Sequence, residues 1–402
     1  MTNYDVKTKG QVFTPDGIVE RMLNMRRNHG AILEPSCGDG AFWERIKKEQ
    51  DSVAIELDPD WCPSGAINMD FFDFSMKNKF DTIIGNPPYV RFSDISESTK
   101  EKIEKEFAGR LEHKKTNLYI FFIDRCIDLL NDGGELIFIT PREFLKSTCA
   151  EPLNEKMLAK GSITHFFDMG DKRIFKGAAP SVAIWRFEKG CYNKSVETNN
   201  GAKTIVINRG QISFINFKNP SHLGEYFDIK VGGVSGLDKI FAHQNGNEDY
   251  VCSYTKKTGE TKKYYHNFVD DYILENKEIL LARRIKKFNE KNWWKWGREH
   301  CDSDRQRIYV NCKTRDTQPF FSNECKNYDG SVLALFFREE TSEESLAEAV
   351  KVLNNMDWES MGFKVGGRLM FSQRALENSL IPEKKLKFLQ TMSTQKAKQI
   401  KL

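Results

Sequence analysis

Short apolar runs recur through the first half of the chain, each bounded by glycine, proline or charged residues. Ala31-Ile32-Leu33, Ser52-Val53-Ala54-Ile55-Glu56-Leu57, Thr82-Ile83-Ile84, Glu135 to Thr140 and Val182 to Phe187 read as strands. Between them, Phe42 to Lys48 and Asn117 to Leu130 carry helical patterns. Gly133-Gly134 stops the second helix, and Pro141 closes the strand that follows. Strand–helix alternation of this kind predicts an α/β fold with a mainly parallel sheet and helices on both faces. The polar stretch Ser93 to Thr116 reads as a flexible loop.

A second polar stretch, Lys189 to Gly201, reads as a linker, and the alternation fades beyond it. Strand-like runs (Thr204 to Asn208, Ile212 to Phe217, Arg307 to Val310) mix with helix candidates at Asp271 to Leu281 and Glu343 to Asn354. Two domains are therefore expected, 1–190 and 191–402, the second α+β. Lys230-Val231-Gly232-Gly233 is echoed by Lys364-Val365-Gly366-Gly367, read as two glycine turns rather than a repeat.

Composition narrows the class. The 402 residues are 12% aromatic and 29% charged, enough for large cores and against general disorder. No stretch is apolar enough to span a bilayer, and Met1 to Gly10 lacks the apolar core of a signal peptide. Nine cysteines without a Cys-x-x-Cys pair point to reduced thiols, a cytoplasmic protein and no zinc site. Residues 1–190 carry 27 Lys and Arg against 30 Asp and Glu, whereas residues 191–402 carry 34 against 27. The second half is the better candidate for meeting a polyanion.

Candidate chemistry clusters at strand ends. Asn86-Pro87-Pro88-Tyr89 follows the buried-strand run Phe80 to Gly85. Two prolines remove N–H donors and leave a row of acceptors, the Asn86 side-chain oxygen and the Pro87 carbonyl, beside an aromatic face. That set suits a planar molecule whose NH2 must become nucleophilic, because two acceptors on its N–H bonds favour the pyramidal form. Gly38 and Gly40, in the turn Leu33 to Phe42, let the backbone approach a ligand closely. Glu56 ends the second strand, where an acid accepts from ribose hydroxyls. Asp70-Phe71-Phe72 pairs a carboxylate with aromatics fit to hold an adenine. There is no Walker-type lysine and no pyrophosphate fingerprint, so a nucleoside without phosphates is expected.

In this order, Glu34 to Phe42, Glu56, Asp70-Phe71 and Asn86-Pro87-Pro88-Tyr89 resemble the motifs of adenine-N6 DNA methyltransferases. Lys9 to Pro15, ahead of the glycine loop, resembles the N-terminal cofactor motif of the gamma class found in restriction–modification systems. Ile174 to Pro180 resembles a later motif. The resemblance covers residues 7–190 and continues weakly in Val231 to Gly236 and Gly362 to Gln373. It implies a Rossmann-like catalytic domain that uses S-adenosylmethionine and flips its target base out of duplex DNA. It also implies roles. Thr14, with Pro15, and Ser36 face the methionine carboxylate, and Glu34 its ammonium. Glu56 binds the ribose, and Asp70 and the Phe71 N–H bind the adenine. Asn86 and Pro87 hold the target NH2, with Pro88 stiffening the turn. Tyr89 stacks on the base and Phe175 packs on its other side. Cys37 reads as packing only. No metal is required.

Arg283, Arg284, Lys286, Lys287, Lys291, Lys295 and Arg298, interleaved with Phe288, Trp293, Trp294 and Trp296, form a candidate DNA grip. The alternative is a solvated basic face over a tryptophan core. The basic tail Lys384 to Lys401 reads as a solvated helix. Double-stranded DNA is thus the expected partner, with a separately acting restriction endonuclease as a further possibility and a monomer as the default. RNA adenine and protein glutamine remain alternative substrates for the same motif, and a non-catalytic DNA-binding module is the reading from another class.

Overall fold

Alternating positions along the central strands are buried on opposite faces, and the sheet they form follows from that. The strands of the first half are β1 (Ile32–Glu34), β2 (Ser52–Glu56), β3 (Ile67–Asn68), β4 (Phe80–Gly85), β5 (Leu130–Pro141), β6 (Gly161–Asp168) and β7 (Val182–Lys189). Three more, β8 (Ser195–Thr198), β9 (Gly201–Asn208) and β10 (Gln211–Ile215), join the same sheet. The computed structural model describes residues 12–111, 115–170, 174–175, 181–284, 288–365 and 367–386.

The strand order is β10-β9-β8-β6-β7-β5-β4-β1-β2-β3. Neighbours from β3 to β5 are parallel, and β7 lies antiparallel between β5 and β6. Leu33, Ile55, Ile83, Leu136 and Phe138 belong to one apolar cluster, and Ile32, Ala54, Ile84, Ile137 and Ile139 to another. This period-two partition explains why the runs read as nearly continuous apolar segments: each strand is covered on both sides. Helix α1 (Asp16–Leu23) and α2 (Trp43–Ile46) pack residues into the second cluster, while α3 (Glu97–Phe107), α4 (Leu118–Leu129) and α5 (Glu151–Lys160) supply the first. The result is the Rossmann-like α/β fold expected, with a mainly parallel sheet.

Two expectations are corrected. Ser93 to Thr116 is not a plain loop, because α3 lies within it. The Ser96 hydroxyl caps this helix by accepting from the Thr99 N–H at 3.3 Å, and Thr99, Ile103 and Phe107 bury one face. Lys189 to Gly201 is not a linker, since it contains β8, paired with β6 and β9. The compact units accordingly divide at Asn216/Phe217 rather than at 190.

The second unit is α+β. Its largest sheet is four-stranded and antiparallel, ordered Phe227–Val231, Val332–Phe337, Arg307–Asn311, Phe320–Phe321. The expected helix Glu343–Asn354 is present, N-capped by Ser342. The expected helix over 271–281 is two short ones, Asp271–Glu275 and Lys277–Leu281, separated at Asn276. No helix among the described residues is long and apolar enough to cross a membrane.

Candidate active site

The carboxyl ends of β1, β2 and β4 open onto one cavity of about 440 Å3. β1 is the switch point of the strand order, the place where open α/β sheets bind ligands. Thr14, Glu34, Ser36, Gly38, Glu56, Asp70, Phe71, Asn86 and Pro88 all line it, so residues spread over seventy-odd positions meet there. Pro15 and Gly40 do not line it. Pro15 is exposed, and its carbonyl accepts from the Ile18 and Val19 N–H groups to start α1. Gly40, at φ +86°, serves the turn: a Cβ there would sit 3.3 Å from Pro63. Gly38, at φ +52°, fills the same need for a left-handed backbone.

The loop is held by its own acid. Glu56 Oε2 accepts from the Gly38 N–H at 2.8 Å, and Oε1 from the Asp58 N–H at 2.9 Å. Burial raises the Glu56 pKa, partly countered by those two N–H donors. Glu34 is fully buried, and its Oε2 has no hydrogen-bond partner. Its pKa is raised well above the carboxylate range, first by burial and then by the charges of Asp39 and Glu56. Among the described residues, no lysine, arginine or histidine lines the cavity. An unneutralised carboxylate in such a place is costly, and a cationic ligand is what would offset it. The Cys37 thiol is pushed up by burial and then by the charges of Glu34 and Glu56, so it stays protonated and packs.

Asp70 caps its own turn through Oδ1, which accepts from the Phe72 N–H at 3.0 Å. Its Oδ2 accepts from Thr99 Oγ1 at 2.9 Å and Lys102 Nζ at 3.0 Å. Asp94, Ile95 and Ser96 join Thr99 in lining the cavity, so α3 and the residues before it form a wall that the sequence reading missed. Its signal was present in Ser96, a helix N-cap, and in Ile103 and Phe107 at helical spacing. Phe13 and Trp61, with ring centroids 4.8 Å apart, form another unanticipated part of the lining.

The Asn86 amide is oriented. Its Nδ2 donates to the Val12 carbonyl at 3.0 Å and to Thr14 Oγ1 at 3.1 Å, while Oδ1 is buried without a partner. Ser36 Oγ donates to the Asn86 carbonyl at 3.3 Å. Tyr89 is half-buried, and its hydroxyl donates to the Ile139 carbonyl at 2.7 Å, which fixes the ring beside the turn. Phe175 does lie against Tyr89, at 6.2 Å between centroids, but the planes meet at 63°, an edge contact rather than two faces of a slot. Pro87 is buried next to Asn86.

The residues of the expected DNA grip lie in different settings. Arg283 is buried, and its guanidinium donates to the carbonyls of Leu280, Ser235, Trp293 and Lys295. The Phe288 ring lies 3.7 Å from it. Arg283 is therefore a strut of the second unit and not a phosphate contact, because four of its hydrogen bonds from a rigid fork go to backbone carbonyls. Trp293 and Trp296 are core residues and Trp294 packs partly buried against them. Arg284 and Lys291 are exposed. Lys286 and Lys287 lie outside the described residues, as do Lys9 to Gln11, Lys176 to Pro180 and the tail beyond Leu386.

Residues 41–175 match the family model described as Eco57I restriction-modification methylase. The chain is 31% identical over 226 residues to the Type II methyltransferase M.HincII of Haemophilus influenzae, an alignment covering 55% of this chain and 43% of the relative. It is also 31% identical over 204 residues to the Type II methyltransferase M.TthHB8I of Thermus thermophilus, covering 46% of each. The chain spans less than half the length of these curated relatives. Among solved structures, the Type IIL restriction-modification enzyme MmeI in complex with DNA shares the fold. Its TM-score is 0.59 at 10% identity, over 90% of this chain and 64% of that one. The resemblance to restriction–modification methyltransferases is thus borne out.

Proposed function

We propose that this chain transfers a methyl group from S-adenosylmethionine to the exocyclic N6 of adenine in a short duplex DNA site, with the base flipped out of the stack, as the modification arm of a restriction–modification system. The observation that carries the reading is a pair of buried, unpartnered acceptors in one cavity. Glu34 Oε2 lacks a cation, and Asn86 Oδ1 lacks a donor. An amino-acid ammonium answers the first and a nucleobase NH2 the second.

S-adenosylmethionine supplies an electrophilic methyl on a sulfonium, so the protein's work is positioning rather than activation of a leaving group. Glu34 receives the ammonium. Glu56 accepts from the ribose with lone pairs left over after the Gly38 and Asp58 bonds. Asp70 and the Phe71 N–H meet the adenine ring of the donor, and Phe13 and Trp61 add apolar cover. Asn86 Oδ1 and the Pro87 carbonyl accept both N–H bonds of the target amine, which frees its lone pair. Tyr89 stacks on the extruded base, and Phe175 has to swing from its edge contact to cover the other side. Among the described residues, Arg284, Lys291 and Lys295 are exposed candidates for phosphate contacts. A nuclease acting separately on the same site fits the family named by the relatives.

Methylation mapping of genomic DNA from cells expressing the intact chain, beside an Asn86→Ala control, tests the proposal. Adenine-N6 marks at one short motif, absent in the control, support it. A folded chain that binds the donor but leaves no DNA mark would refute it and redirect attention to RNA adenine or protein glutamine.

A further inference from the structure

We infer that Thr14 is a positioning residue that decides which end of the Asn86 amide faces the target base. The inference rests on the reading of Asn86 as the acceptor for the target NH2. An asparagine amide is nearly symmetric in shape, and presenting its NH2 to an amine would set donor against donor. Something must hold the oxygen outward. The Val12 carbonyl can only accept, so the amide atom 3.0 Å from it is the nitrogen. Thr14 Oγ1, 3.1 Å from the same nitrogen, must then accept as well. Both hydrogens of the amide are taken by residues more than seventy positions away, and Oδ1 is left buried and unpartnered. Turning the amide over would break both bonds and place its oxygen against two oxygens.

Thr14 is itself buried and lines the cavity. Its hydroxyl, having accepted from Asn86, keeps its proton to donate elsewhere. A role confined to the donor site and a role through Asn86 therefore make different kinetic predictions. A donor contact alone moves the donor KM and leaves the rate at saturation untouched. Positioning of Asn86 moves the rate at saturation.

The test compares Thr14→Val, Thr14→Ala and Thr14→Ser in single-turnover methylation of DNA carrying the mapped site, at saturating donor and DNA, with donor Kd by calorimetry. Thr14→Val is expected to slow the methyl-transfer step about tenfold, the scale of one buried N–H left unpaired. Thr14→Ser should recover most of that loss because it keeps the acceptor oxygen. Thr14→Ala carries the test if valine does not fold. An unchanged saturating rate in both valine and alanine variants overturns the inference, as does a serine variant as slow as valine or a loss confined to donor KM. Wild-type chain that methylates no DNA is a separate result and counts against the proposed function instead.

Discussion

Replacing Glu34 by glutamine should push apo stability and donor affinity in opposite directions. The substitution keeps shape and removes a charge that is fully buried, lacks a partner on Oε2, and sits beside Asp39 and Glu56. In the apo protein that charge is a burden. Its folded-state pKa lies above the unfolded value, so the folded state binds the proton more tightly. Stability from this group is complete below about pH 4.3, the ordinary glutamate value, and is lost as pH rises through the raised folded pKa. Glu34→Gln should escape that loss. Its advantage over wild type should be small in acid and open as pH climbs past the carboxylate range. Relief of about 1 kcal/mol, the low end for an unsatisfied buried polar group, corresponds to about 2–4 °C in Tm for a unit of this size. Donor binding goes the other way. A charge-assisted hydrogen bond contributes about 1.5–3 kcal/mol, so affinity should fall about 10- to 150-fold. Calorimetric titration of S-adenosylmethionine, with thermal melts of the apo chain across pH, reads both. Unchanged donor affinity in Glu34→Gln would refute the assignment of the ammonium to this carboxylate.

Four other outcomes are expected. Glu56→Ala removes the partner of the Gly38 and Asp58 N–H groups as well as the proposed ribose acceptor. Donor affinity should drop at least about tenfold with a parallel fall in Tm, both visible in the same titrations and melts. Asn86→Asp places an oxygen where Nδ2 now faces the Val12 carbonyl and Thr14 hydroxyl; single-turnover methylation should fall about 100-fold or more, while donor Kd stays near wild type. Arg283→Ala should destabilise the second unit by on the order of 3 kcal/mol, detectable by denaturant unfolding, because several carbonyls are left without their donor. Arg284→Ala with Lys291→Ala should instead leave stability alone and weaken DNA binding, the salt slope flattening by about 0.9 for each phosphate no longer neutralised.

Strands β1, β2, β4, β5 and β7, and the acidic, glycine and Asn-Pro-Pro-Tyr elements at their ends, were legible from residues alone, whereas β3 and β6 were not. Their signals are local: apolar runs of strand length, glycines at left-handed turns, and an acid closing a strand. Parallel topology then carries strand ends to one edge, so Glu34, Glu56 and Asn86 converge without further instruction. Three features were decided only by tertiary structure. β8 to β10 extend the sheet past a segment whose composition reads as a linker, because edge pairing with β6 is a long-range bond that no local pattern encodes. Arg283 sits among basic residues in sequence, yet its environment is set by carbonyls from Ser235 to Lys295. Burial and not charge decides its role. The Asn86 amide has a defined direction only because Val12 and Thr14 are folded against it. Residue types state which donors and acceptors exist; only folding assigns which partner each one faces, and here that assignment leaves Glu34 Oε2 and Asn86 Oδ1 unpartnered.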